Sequence, residues 1–313
     1  MVIVADGLGV STGRDSLVTS PPPSLYYRAT MLERYRPEHF KAVRAFAGKL
    51  DNFFYLKLII RAHTDGRIPG SCWVWREDGR IVAFSATAFL NKDDAWLWGM
   101  RVDPECQCRG VATAFTRAQF KLIRAAGRTW AGLNTLDSRK PKASFRVMEK
   151  LGFRLEDTQC DDFYWRRPRG VTRPRPARFP GITGRLIRLG RKTVFYDNDG
   201  WFNCRLLPAR ARWLNPFGRS IDGTPVVIIP RVATSPSGKK RNMLSINVLE
   251  RPDDLGAFVP RLLALAPRHG HIVVNYPSDW AREFRAAARA AIPKLRQGHG
   301  TWQSIWRIYG KHL

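Results

Sequence analysis

The chain contains no uninterrupted apolar stretch of about 18 residues, so its sequence predicts no transmembrane helix and no membrane insertion. Its first residues lack a basic stretch followed by a long apolar one, which argues against a secretory signal. Cysteine is scarce, with five in 313 residues. Cys72, Cys106, Cys108, Cys160 and Cys204 are odd in number and show no C-x-x-C spacing, so neither a disulfide framework nor a bound metal is expected. That usage fits a reducing compartment and predicts a cytoplasmic protein. The six histidines are dispersed, and no Ser-His-Asp or Cys-His arrangement is visible. Acidic residues are few as well, 26 against 53 Lys and Arg, leaving a net charge of +27. Such a charge suits a polyanion such as nucleic acid, an anionic surface or an anionic cofactor. An Arg-rich solvated surface would give the same number, and composition leaves both readings open.

The 313 residues suggest two domains of ordinary size, and a hydrophobic content of 44% is enough to build their cores. Residues 1–24 hold Gly, Ser and Thr and end near Pro21-Pro22-Pro23, which predicts a disordered leader. Residues 25–30 read as a first strand, 36–47 as a helix and 52–60 as a second helix. Residues 71–76 and 80–87 flank Asp78-Gly79, the signal of a β-hairpin. Residues 94–102 form the next strand. Val111, Phe115, Ala118 and Leu122 then recur at helical spacing, and Gly127 ends that helix. A strand over 129–133, a helix over 144–151 and strands over 153–156 and 162–166 complete a first α/β unit.

Between Phe163 and Tyr196 there are ten basic residues and no acidic one, interspersed with Pro168, Pro174, Pro176 and Pro180. The segment from Arg166 to Lys192 is either a nucleic-acid-binding arm or a solvated linker. The second half repeats the order of the first faintly: a strand over 243–249, a helix over 255–265, a strand over 271–275, a helix over 279–291 and a strand over 304–309.

The richest stretch lies between residues 100 and 113. A strand ends at Val102-Asp103-Pro104, a polar loop carries Gln107-Cys108-Arg109-Gly110-Val111-Ala112, and a helix begins near Thr113. Gly110 frees the backbone at the turn, and Ala112 lets a ligand approach closely. A helix N-terminus offers unpaired N–H groups and a positive dipole end, so phosphate oxygens suit it. Arg109 and Arg101 add charge. Gln-x-Arg-Gly-x-Ala after such a strand resembles the acetyl-coenzyme-A loop of the GNAT superfamily of N-acetyltransferases. Ala131-Gly132-Leu133-Asn134 resembles that family's next strand, ending in Asn, and Met148-Glu149-Lys150-Leu151-Gly152-Phe153 its helix-to-strand junction. The three fall in the family's order.

The resemblance implies a mixed α/β sheet flanked by helices over residues 25–166, a basic linker over 167–182 and a degenerate GNAT-like domain over 183–313. It implies acetyl-coenzyme A as co-substrate, contacted by Met100, Val102, Gln107, Cys108, Arg109, Gly110, Val111, Ala112, Thr113 and Asn134. Asn134 is alternatively a turn or cap residue. The second half has Glu250-Arg251-Pro252-Asp253-Asp254-Leu255 in place of the loop, and carboxylates capping a helix there would repel a pyrophosphate.

Two departures bear on catalysis. The position that commonly carries a proton-donating Tyr is Met148, and the strand position of a catalytic Glu is Trp96. Asp93 and Asp94 are the nearest carboxylates and serve either a turn or a proton relay; Tyr164, Glu105 and Asp137 are further candidates. Trp73, Trp75, Trp96 and Trp98 form either core or an acceptor pocket. The expected function is N-acetylation of a primary amine, a small molecule or amino acid. The alternatives are an amine borne by nucleic acid, such as aminoacyl-tRNA, and a non-catalytic protein that senses coenzyme A or binds nucleic acid.

Overall fold

The computed structural model describes residues 30–313 except 51–52, 138–142, 165–167, 189–192, 198–200, 206–210, 235–239, 268–269 and 293–300. The leader expected over 1–24 lies outside the described residues. The chain divides into two units, one of Met1–Ala88 with Leu97–Ala126 and one of Phe89–Trp96 with Gly127–Leu313.

The first unit holds strands β1 (Thr30–Arg34), β2 (Gly70–Glu77), β3 (Arg80–Phe89) and the latter part of β4 (Asp94–Val102), in that order across a sheet. The first strand begins at Thr30, where the apolar pattern of the sequence placed its end. Asp78 and Gly79 both take positive φ, 48° and 78°, which is the geometry of a two-residue hairpin turn. Helices α1 (Phe40–Leu50), α2 (Phe53–Thr64) and α3 (Val111–Ala125) accompany the sheet. α3 is amphipathic by spacing: Val111, Phe115 and Ala118 are buried against Trp75, Val82 and Ala83. Trp75 stacks on Phe115 with centroids 5.7 Å apart, and Trp73 packs on the same cluster, so this pair of tryptophans is core.

The second unit begins with the first residues of β4, which pair in parallel with β5 (Trp130–Leu136) over Asp94–Trp96. Its next elements are α4 (Ala143–Lys150), β6 (Arg154–Tyr164), β7 (Ala177–Arg178), α5 (Ile182–Arg188), β8 (Thr193–Asp197) and β9 (Trp201–Arg205). They are followed by β10 (Gly218–Ile221), β11 (Thr224–Thr234), β12 (Lys240–Val248), α6 (Leu255–Leu263), β13 (His271–Pro277), α7 (Ala281–Ala291) and β14 (Thr301–His312). β6 is one strand of 11 residues where the sequence suggested two, and β7 is a short strand inside the expected linker.

The order across this sheet is β5-β14-β6-β13-β12-β11-β10-β7. The last strand of the chain therefore lies between β5 and β6, antiparallel to both, and β6 in turn pairs with β13. Strands from the two halves of the sequence thus alternate in one sheet. The mixture of parallel pairs (β4 with β5, β12 with β13) and antiparallel ones agrees with the expected mixed α/β class.

The main core of this unit packs α6 and α7 on Ile246, Val248, Ile272, Val274 and Tyr276. Inside it, Asp162 is fully buried and receives hydrogen bonds from Tyr164 (3.2 Å), Tyr276 (2.6 Å) and Arg285 (2.7 and 3.0 Å). Burial, and after it the Asp162 charge, push the Tyr276 hydroxyl pKa up. Burial is also the largest cause that pushes the Cys160 thiol up to about 12. No helix among the described residues is long and apolar enough to cross a membrane.

Candidate functional site

In the first unit, the chain from β4 into α3 forms a stiff lead-in to an open loop. Asp103 is nearly fully buried, and its backbone N–H donates to Val82 at 2.8 Å. Its carboxylate accepts from the Glu105 N–H at 3.1 Å and from Arg80, and so fixes the short turn Pro104–Cys106. Cys106 is buried in the α3 core, which anchors the loop from below, whereas Gln107, Cys108, Arg109 and Gly110 are all exposed. Gln107 reaches back to donate to the Val102 carbonyl at 3.2 Å.

Cys108 and Gly110 take positive φ, 62° and 85°. Gly110 is the N-cap of α3, and no side chain caps this helix. A Cβ built on Gly110 would meet nothing within 4 Å, so the space above the first N–H groups of α3 is open. An uncapped helix N-terminus with an exposed Arg109 beside it fits a bound pyrophosphate. Val111, Ala112 and Thr113 supply the N–H groups at this end, and the loop residues expected from the sequence converge here.

β4 itself is kinked at Gly99, whose φ is +69° and whose missing Cβ leaves room for Ile59 of α2; a Cβ there would lie 2.5 Å from the Ile59 Cδ1. Met100, Arg101 and Val102 follow, all half-buried, and Arg101 donates to the Met100 carbonyl at 2.9 Å. Trp98 lies against α2: its indole N–H donates to His63 Nε2 at 3.2 Å, and its ring meets Tyr55 edge-on. Burial lowers the His63 pKa to about 4, opposed by the Ile68 backbone. His63 is therefore neutral, with Nε2 committed as an acceptor. Sequence reasoning set it aside with the other dispersed histidines; its spacing of eight from Tyr55 on one helix was the available signal.

The remaining candidates lie in the second unit or have structural duties. Asp94 is fully buried, with its carboxylate accepting from Asn91 at 3.2 Å, and Asp93 offers its carbonyl to the Thr129 and Trp130 N–H groups. Both residues close the turn into β4. Asp94 stands five residues before Gly99, or about 17 Å along a strand. Asn134 lies inside β5, opposite Ile308 of β14, and the strand runs on to Leu136. It is therefore neither the strand's last residue nor a turn or cap residue.

Met148 is buried in α4. Tyr164 is spent on Asp162, Glu105 on Arg80 and Lys49, and Asp137 on Arg307. Trp96 packs on Trp130, away from solvent. In the second half, Asp254 caps α6 by accepting from the Ala257 N–H at 3.0 Å, and Glu250 is held by Arg185, which lowers the Glu250 pKa. Of the two aspartates expected to cap this helix, only Asp254 makes a cap hydrogen bond in the described residues. Among the described residues, no group of three His, Cys, Asp or Glu side chains is placed to hold a metal ion.

Residues 30–153 match the sequence model of the acetyltransferase (GNAT) family. No curated protein sequence matches the chain. Among solved structures, a proposed acetyltransferase from Thermoplasma acidophilum shares the fold over 90% of this chain and 99% of its own, at 16% identity and a TM-score of 0.50. A proposed acetyltransferase from Pyrococcus horikoshii covers 94% of this chain and 93% of its own, at 13% identity and a TM-score of 0.48. The ribosomal-protein-S18-alanine N-acetyltransferase of Escherichia coli covers 46% and 84%, at 17% identity and a TM-score of 0.32.

Proposed function

Since residues 30–153 are a GNAT acetyltransferase domain, we propose that the protein transfers an acetyl group from acetyl-coenzyme A to a primary amine of a small molecule or amino acid in the cytoplasm. The observation that carries this reading is the uncapped N-terminus of α3 beneath the open space at Gly110. The N–H groups of Val111, Ala112 and Thr113, with Gln107, Cys108, Arg109 and Gly110 around them, hold the pyrophosphate. The backbone of Met100 and Val102 pairs with the pantetheine arm, and Asn134 gives a polar contact. The thioester supplies the acetyl group; the chain's own part is to position a neutral amine against it and to exclude water. Gly99 and Trp98 shape that position, and His63 fixes Trp98 by accepting its indole proton. Asp94 we assign to the turn, on account of its burial and its Asn91 partner.

Residues 25–166 carry the activity in this reading, and 183–313 form a GNAT-like half without a cofactor loop. A screen of amine acceptors by release of free coenzyme A tests it, with an N-acetylated product expected. A second reading, binding of coenzyme A without turnover, draws on Met148, a buried thioether where the family commonly has a proton donor. Cofactor binding with no product from any amine would select it. An acceptor borne by RNA is the third arm of the same screen, with aminoacyl-tRNA as the probe.

A further inference from the structure

The second unit carries a polar row that the reading above does not use. Four neighbouring strands contribute to it: Asn247 on β12, Asn275 on β13, Asp161 on β6 and Ser304 on β14. The register places Asn247 opposite Asn275, Asn275 opposite Asp161, and Asp161 opposite Ser304. Residues directly opposite one another on adjacent strands share a face of the sheet. All four are buried, with Asp161 and Asn275 at 1% and 3% exposure. Ser245, two residues before Asn247, faces the same side and is fully buried. The opposite face of the same strands presents Ile246, Val274, Tyr276 and Cys160 to the α6–α7 core. One face is therefore an ordinary apolar core and the other a covered polar strip. The cover comes from the β8–β9 hairpin, with β8 against β12 and β9 against β5.

The strip is not satisfied from within. Both amide atoms of Asn275 and the hydroxyl of Ser245 are buried without a hydrogen-bond partner among the described residues. Each such group costs about 1–3 kcal/mol when left unpaired, and native interiors keep few of them. A molecule seated on the strip removes that cost. Its chemistry follows from the donor set: one carboxylate, two carboxamides and two hydroxyls, with no Lys or Arg in the row. In a chain of net charge +27, the only charged side chain of this row is an anion. Carboxylate and carboxamide oxygens together suit an ammonium group, which brings three donors and no acceptor.

We propose that the covered row Asn247–Asn275–Asp161–Ser304, with Ser245, binds a small primary amine in the half of the chain that has no cofactor loop. Binding there is separate from acetyl transfer, because Asp254 already caps α6 where a pyrophosphate would otherwise lie. The amine is thus bound without being acetylated at this site, as an effector.

The test uses the full-length protein without acetyl-coenzyme A. Calorimetric titration with 1,4-diaminobutane, ethanolamine and lysine, and with 1,4-butanediol and ethylene glycol as uncharged controls, should give saturable binding for an amine and none for the diols. Asn275→Leu should weaken that binding about tenfold or more, equivalent to about 1.4 kcal/mol. Ser245→Ala should weaken it about threefold without lowering the melting temperature, because it removes an unpaired hydroxyl. If Asn275→Leu does not fold, Ser245→Ala decides alone. The proposal is overturned if none of the three amines binds, if the diols bind equally well, or if the folded variants bind as the parent does; the row then holds water only.

Discussion

Gly110 shows how one residue can be conformationally demanded and chemically used. Its φ of +85° disfavours any side chain, and the space its Cβ would enter is the space above the α3 N–H groups. Gly110→Trp should abolish acetyl-coenzyme A binding by calorimetry while leaving the far-ultraviolet spectrum unchanged. Arg109→Ala should weaken binding only about tenfold, because the backbone donors remain. Normal binding by Gly110→Trp would put the pyrophosphate elsewhere.

His63 makes a different kind of prediction. Its pKa is about 4 in the folded protein, against an ordinary value of 6.5. Between those values the unfolded chain binds the proton and the folded one does not. Stability is therefore full above about pH 6.5 and falls as pH drops toward 4, by at most about 3 kcal/mol. Denaturant unfolding of His63→Gln at about pH 7 and about pH 5 should show a smaller loss than the parent. An equal loss in both would remove His63 from the account. The loop residues were legible from sequence because glycine and arginine at a strand-to-helix junction have a local physical meaning. His63 was not, because its meaning comes from Trp98, 35 residues away in the chain.

At the scale of elements, local periodicity carried far. The β2–β3 hairpin, β4 with its bounds at 94 and 102, α3, α6 and β13 are all visible in the order of apolar residues. What periodicity cannot convey is which strands become neighbours. Val, Ile and Tyr at alternate positions suit any sheet, and nothing local says that β14 enters between β5 and β6. The same blindness hid the length of β6, whose Asp161 and Asp162 look like a loop until Arg285 and the tyrosines are placed around Asp162.

The strand order has a consequence for the sequence boundary at residue 166. A fragment of residues 1–166 lacks β14, so β5 and β6 would both present open edges, which favours aggregation. That fragment should be insoluble alone and recover solubility when residues 167–313 are coexpressed. A soluble, monomeric 1–166 fragment would refute this dependence. Within the full chain, Asp162→Ala leaves the Arg285 charge buried without its partner and should cost about 3–5 kcal/mol in unfolding free energy.

For the molecule as a whole, the net charge of +27 is its least explained property. Several arginines are consumed internally: Arg76 by Glu33, Arg185 by Glu250, Arg285 by Asp162 and Arg307 by Asp137. These pairs show that part of the charge serves the fold, but the basic segment after residue 166 has few acidic partners to meet. Arg173 donates to the Leu265 carbonyl and Arg178 lies in β7, so this stretch is partly ordered along the second unit. Were the segment a nucleic-acid arm, affinity would fall steeply with salt, since each neutralised phosphate releases counterions. Replacing Arg173, Arg175 and Arg178 with Gln together should then shallow the slope of log affinity against log salt, by roughly one unit for each phosphate that is no longer neutralised. Release of coenzyme A with a small amine should not change, because these residues lie outside the α3 loop. Single-stranded RNA titrated at low and moderate salt reads the slope directly. If the parent binds no RNA even at low salt, or the triple variant keeps the parent's slope, the charge is a solvated surface. The choice matters for the acceptor: a steep slope would bring an RNA-borne amine within reach of the cofactor loop, and a flat one leaves the small free amine as the acceptor to pursue.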